Sequence, residues 1–117
     1  MAQRERAVDA RLLDFVRDKA DTFVKWDLIR FFHDNPYAAN TAENIARFAA
    51  RDPGTVGQEL GELVASGLLE SSLAGSTRIY RYVKDQQIRD LIGSFVVACD
   101  DRDFRVQAIN LVIQGLQ

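Results

Sequence analysis

Asp52-Pro53-Gly54-Thr55-Val56-Gly57-Gln58-Glu59-Leu60-Gly61-Glu62-Leu63-Val64-Ala65-Ser66-Gly67-Leu68-Leu69 is the stretch that decides the fold. Asp at the N-cap followed by Pro at the first helical position is a strong helix start, since proline lacks only an amide that would be unpaired there. Val56, Leu60, Leu63 and Val64 then recur with the helical period, and Gly67 is the expected stop. The predicted element is a helix from Pro53 to Ser66.

Beyond Gly67 the period changes. Leu68 to Leu73 and Ile79 to Val83 are short β-compatible runs separated by Ala74-Gly75-Ser76-Thr77, which reads as a hairpin. Alternation puts Tyr80 and Tyr82 on one face of the second strand, and Ile79, Arg81 and Val83 on the other. A helical period resumes at Gln87, with Ile88, Leu91, Ile92, Phe95, Val96 and Cys99 in the most regular stripe of the chain. After Asp100-Asp101-Arg102-Asp103, a last helix over Phe104 to Leu116 carries apolar residues around much of its circumference, so it needs burial on more than one side.

Upstream of Asp52, Thr41 caps a helix through Ile45, Ala46, Phe48 and Ala49 that stops near Arg51. Before it, Asp21 or Thr22 starts a helix with Val24, Leu28, Phe31 and Phe32 toward the core, ended by Asn35-Pro36 because the residue before proline avoids the α region. A first helix from Arg6 to about Ala20 is expected from Val8, Leu12, Phe15 and Val16.

The chain has 117 residues, the length of one domain, with 47% hydrophobic and 27% charged residues, a globular composition. Its single cysteine allows no internal disulfide. The N-terminal stretch is studded with charge where a leader would be apolar, and no run reaches a membrane-spanning length, so a cytoplasmic chain away from membranes is expected. A net charge of −2 weighs against nucleic acid unless positive groups cluster on one face.

The predicted fold is mainly α with a small β-hairpin, a winged helix-turn-helix with extra N- and C-terminal helices. The organisation expected over residues 1–117 is one domain: an N-terminal helix to residue 22, a winged-helix core over 23–83, and C-terminal helices over 84–117. Thr41-Ala42-Glu43-Asn44-Ile45-Ala46, Asp52-Pro53-Gly54-Thr55-Val56, Leu60, Leu63 and Gly67-Leu68-Leu69-Glu70 resemble the winged helix-turn-helix of MarR-like and ArsR-like transcriptional regulators. The resemblance covers Val24 to Val83. It implies a recognition helix from Pro53 to Ser66, a wing from Ser71 to Val83, binding of double-stranded DNA, and a homodimer built from residues 1–22 and 84–117.

With Val56, Leu60 and Leu63 facing the core, Gln58 and Ala65 point directly away, flanked by Thr55 and Glu62 on one side and Gly54, Gly57 and Gly61 on the other. Gln58 is the expected base reader, able to bridge adenine N6 and N7, and Thr55 sits near the helix N-terminus, where an anion is favoured. Glu59 and Glu62 are expected as solvated surface residues; the functional alternative is acceptance from cytosine N4. The glycines signal close approach, either of a DNA backbone or of another helix. The cations expected at phosphates are Arg47, Arg51, Arg78 and Arg81.

Between Thr41 and Val83 those four arginines meet five acidic residues, Glu43, Asp52, Glu59, Glu62 and Glu70. That balance, with the glycine stripe, leaves a second class of function open: a winged helix that contacts protein rather than DNA. Catalysis is not expected. His33 beside Asp34 reads as a solvated imidazole near a helix end, Cys99 as a small buried hydrophobe, and no nucleophile pair, phosphate loop or metal-spaced ligand set appears. Cys99 among the aspartates 100, 101 and 103 is read as a helix junction rather than a metal sensor, and no cofactor is implied.

Overall fold

The computed structural model describes residues 8–116. Each helix begins where a short polar side chain accepts one of its unpaired first-turn amides. Asp9 does this for α1 (Ala10–Lys19), Thr22 for α2 (Phe23–Asp34), Thr41 for α3 (Ala42–Ala49) and Asp52 for α4 (Pro53–Ala65). Asp85 and Asp101 serve α5 (Gln86–Ala98) and α6 (Arg102–Gly115). The predicted helical residues before 8 lie outside the described ones. Of the two candidate caps for α2, Thr22 takes the position and Asp21 is released for another partner.

At the end of α4 the Gly67 amide donates to Val64 and the Leu68 amide to Leu63, each at 3.0 Å, with Gly67 at φ +86°. That left-handed cap costs glycine nothing. The same closure ends α3, but there Ala50 holds φ +55°, so the turn between α3 and α4 carries a non-glycine residue in a conformation it disfavours.

β2 (Leu69–Ala74) and β3 (Thr77–Tyr82) form the predicted hairpin, closed between Ala74 and Thr77 by Gly75-Ser76. A third strand joins them: β1 (Ala39–Asn40) pairs with Arg81 and Tyr80, giving the order β1-β3-β2. It was not expected, because two residues show no alternation and their strand character comes from β3.

The core is one cluster running from Leu12 in α1 to Val112 in α6. Phe95 lies at its aromatic centre, with ring centroids 5.2 Å from Phe15, 5.6 Å from Trp26 and 6.4 Å from Phe104, tying α5 to α1, α2 and α6. Phe48, one of the apolar residues of α3, stays outside the core. It is 70% exposed and stacks on Phe31, ring to ring at 5.5 Å, because Ile45 and Ala46 take the buried face. Cys99 is half-buried at the end of α5, where burial pushes its thiol up against the opposing fields of Arg30 and Arg105. Among the described residues, no helix is long and apolar enough to cross a membrane.

Candidate nucleic-acid interface

α4 packs on α3 and α2, and its wheel is observed largely as predicted: Val56, Leu60 and Leu63 are fully buried, while Gly54, Thr55, Gln58, Gly61 and Ala65 are exposed. The glycines divide by environment. A Cβ on Gly57 would meet the Ala42 side chain at 3.9 Å, so that glycine serves the α3–α4 contact, whereas Gly61 faces open space.

Of the two glutamates, Glu59 departs from the expected solvated surface residue, while Glu62 is exposed as expected but ion-paired. Glu59 is 8% exposed and accepts a hydrogen bond from the Thr22 hydroxyl at 2.5 Å. Glu62 remains partly exposed, but its Oε1 accepts from Lys25 Nζ at 2.6 Å, and the same ammonium donates to Asp21 Oδ1 at 2.7 Å. Both carboxylates of α4 thus turn back toward the α1–α2 corner. The partner of Glu62 is a lysine only 5% exposed and that of Glu59 is the Thr22 hydroxyl, both missed by sequence reasoning because they lie far away in the chain. Burial alone would lower the Lys25 pKa; the hydrogen bonds to Asp21 and Glu62, with the field of Glu59, outweigh it and raise it. The consequence is that Glu59 is withdrawn from the outward face of α4, while Glu62 stays exposed at its edge with its charge paired to Lys25.

At the N-terminus of α4, Asp52 Oδ2 accepts from the Thr55 amide at 2.9 Å and from its hydroxyl at 3.2 Å. Thr55 is therefore on the expected face, but the positive helix end is already met by a carboxylate. Thr55 itself remains exposed.

The four arginines are not equivalent. Arg51 donates through Nε at 2.8 Å and Nη2 at 2.7 Å to Asp27 Oδ2, which ties the α3–α4 turn to α2. Arg47 is exposed on α3, with one contact, Nη1 to Asn44 Oδ1 at 3.2 Å. On the hairpin, Arg78 donates to Ser71 Oγ and Arg81 to Ser72 Oγ, both at 2.9 Å. Strand alternation puts Arg78 on the face of Tyr80 and Arg81 on the opposite face, so each side of the wing presents one guanidinium. A cavity of about 410 Å³ between the start of α3 and the wing is lined by Ala42, Glu43, Ser76, Thr77, Arg78 and Tyr80.

The remaining titratable candidates stay apart. His33 Nδ1 lies 3.3 Å from its neighbour Asp34, and Asp101 is the cap of α6. Among the described residues no group of three or more His, Cys, Asp or Glu side chains gathers as a metal site would need.

The chain matches no protein-family model and no curated protein. Two solved structures share its architecture. One, described as a possible transcriptional regulator from Methanosarcina mazei Go1, has a TM-score of 0.54 at 21% identity, over 80% of each chain. The other is the homodimeric winged helix-turn-helix DNA-binding domain, fragment 1–100, of a possible ArsR-family transcriptional regulator from Mycobacterium bovis. It has a TM-score of 0.57 at 22% identity, over 87% of this chain and 93% of that one. At such identities the likeness is one of fold, and it agrees with the element order and sheet topology: this chain has a winged helix-turn-helix fold with a helix before it and two after it.

Proposed function

We propose that this chain is a non-enzymatic, cytoplasmic transcriptional regulator that binds double-stranded DNA in a sequence-specific manner as a homodimer. The observation that carries the reading is the redirection of Glu59 and Glu62 toward Thr22 and Lys25. It takes Glu59 off the face that α4 would turn to DNA and neutralises Glu62 locally, which supports the DNA-binding reading over a module that binds protein alone.

In this reading α4 enters the major groove. Gln58 reads a base edge, Thr55 offers a methyl to a thymine, and Gly54 and Gly61 permit close approach of the groove wall. Arg78 and Arg81, on opposite faces of the wing, suit a hairpin that sits between two phosphate walls, as in minor-groove insertion. Arg47 meets phosphate from α3. Arg51 and Glu62, already paired with Asp27 and Lys25, hold α4 in position instead of facing the groove.

The dimer is assigned to the N-terminal helix and the two C-terminal ones, residues 1–22 and 84–117, which flank the winged core over 23–83. Val97 on α5 is 70% exposed, and Val106 and Ile113 on α6 are 48% and 46% exposed, with Leu116 beyond them at 71%. A second copy would cover that apolar surface and place two α4 helices about one DNA turn, roughly 34 Å, apart.

Fluorescence anisotropy with duplexes enriched from a random pool tests the reading. Binding that weakens steeply with salt, and weakens again in the Arg78→Ala, Arg81→Ala double variant, is expected; absence of binding at low salt rejects it.

A further inference from the structure

A polar ladder on the outer side of α3 belongs to none of the assignments above except through Arg47. Asn40 Oδ1 accepts from the Thr41 amide at 3.0 Å and from Asn44 Nδ2 at 2.8 Å. Asn44 Oδ1 in turn accepts from Arg47 Nη1 at 3.2 Å. The direction of the chain is fixed from both ends, since a backbone amide and a guanidinium can only donate. Neither side-chain amide can be flipped without breaking a bond.

The consequence is chemical. Asn40 Oδ1 has both lone pairs engaged and Asn44 Oδ1 one of its two, so what the ladder has left is mainly donors: Asn40 Nδ2, the second hydrogen of Asn44 Nδ2, and Nε and Nη2 of Arg47. These residues, with Phe48, line an open cavity of about 410 Å³. One full positive charge and a row of neutral donors, against a single spare lone pair on Asn44 Oδ1, complement an anion that only accepts. Phe48, 70% exposed beside them, adds an apolar wall that a free anion would leave uncovered.

From this arrangement we infer that Asn40, Asn44, Arg47 and Phe48 form a binding site for the DNA backbone, with the donors on phosphodiester oxygens and the Phe48 ring against the adjoining deoxyribose. The inference rests on the DNA-binding reading and adds three residues that grip the backbone without reading sequence. Asn40 ends β1 while Asn44 and Arg47 lie about one turn apart on α3, so the ladder runs from β1 over the first turns of the helix, an extent suited to a stretch of DNA strand rather than to one phosphate.

The test is anisotropy of the full chain with an enriched duplex and with an unrelated duplex, each over a salt series. Arg47→Ala should reduce the slope of log affinity against log salt by about 0.9, the value of one neutralised phosphate. Asn44→Asp, which turns a donor into an anion, should weaken both duplexes at least tenfold. Phe48→Ala should weaken both about threefold or more at an unchanged slope. Arg30→Gln, an equal charge change at an exposed position on α2, should behave as the parent chain.

If the parent chain binds while Arg47→Ala and Asn44→Asp keep its affinity and slope, the ladder is overturned and the DNA-binding reading stands. If the parent chain binds no duplex, both fall. Arg47→Ala alters an exposed side chain, so it decides the matter even where Asn44→Asp fails to fold. Displacement of the duplex by inorganic phosphate at matched ionic strength, lost in Arg47→Ala, would mark a free-anion site and overturn the assignment.

Discussion

Replacing Lys25 by methionine asks whether the lysine sets the orientation of α4. The ammonium makes two ion-paired hydrogen bonds, 2.7 Å to Asp21 and 2.6 Å to Glu62, and its side chain is 6% exposed, while each carboxylate partner is 49% exposed. Removing one member of a fully buried pair costs about 3–5 kcal/mol. Here the stranded carboxylates are half in water and methionine keeps most of the stem packing, so about 1–2 kcal/mol is expected. For a domain of this size that is a fall of roughly 4–8 °C in Tm, read by calorimetry at fixed protein concentration.

Lys25→Ala should lose more, because the stem packing goes too, and the Lys25→Met, Glu62→Gln cycle should show a coupling above about 0.5 kcal/mol. The pH dependence has a definite sign. Lys25 is held above the ordinary lysine pKa in the folded chain, so its contribution is complete below that ordinary value and is lost as pH climbs through the raised one. The gap between parent and Lys25→Met should therefore be flat near neutrality and close only in strong alkali. A Tm within 1 °C of the parent, or a coupling near zero, would refute the reasoning.

Other consequences are more local. Tyr82 Oη is buried with no hydrogen-bond partner among the described residues, so Tyr82→Phe should leave stability unchanged or raise it by up to about 1 kcal/mol in denaturant unfolding. Ala50 at φ +55° should welcome glycine: Ala50→Gly is expected to stabilise by about 0.5–1 kcal/mol, and a loss would mean the turn is unstrained. Ile113→Asp with Val106→Asp should convert the proposed dimer to a monomer in light scattering while circular dichroism stays helical; a parent chain that is already monomeric at micromolar concentration removes the dimer.

Legibility in the sequence followed the range of the interactions. Asp52-Pro53, Thr41, Asn35-Pro36 and Gly67 act on their own first or last turn, and each helix boundary they predict is observed. The hairpin was legible for the same reason. The parity of Arg78 and Arg81 is present in the strand alternation, which decides that the two guanidiniums face opposite ways. What could not be read were pairings across the chain. Glu59 and Glu62 find Thr22 and Lys25 thirty-seven residues away, and Arg51 finds Asp27 twenty-four residues away. A helical wheel places a side chain on a face but does not say which neighbour will occupy that face. Phe48 shows the converse, an apolar residue at a core-like spacing that lies outside because a ring on α2 offers it a stack.

The central claim is that the outer face of α4 reads bases through Gln58. Its most direct test compares the parent chain with Gln58→Ala on an enriched duplex and on an unrelated one at the same salt. The account predicts a loss of about 1–3 kcal/mol of discrimination, with affinity for the unrelated duplex unchanged. Equal affinities of parent and variant for both duplexes, or no binding of either duplex at low salt, would contradict it.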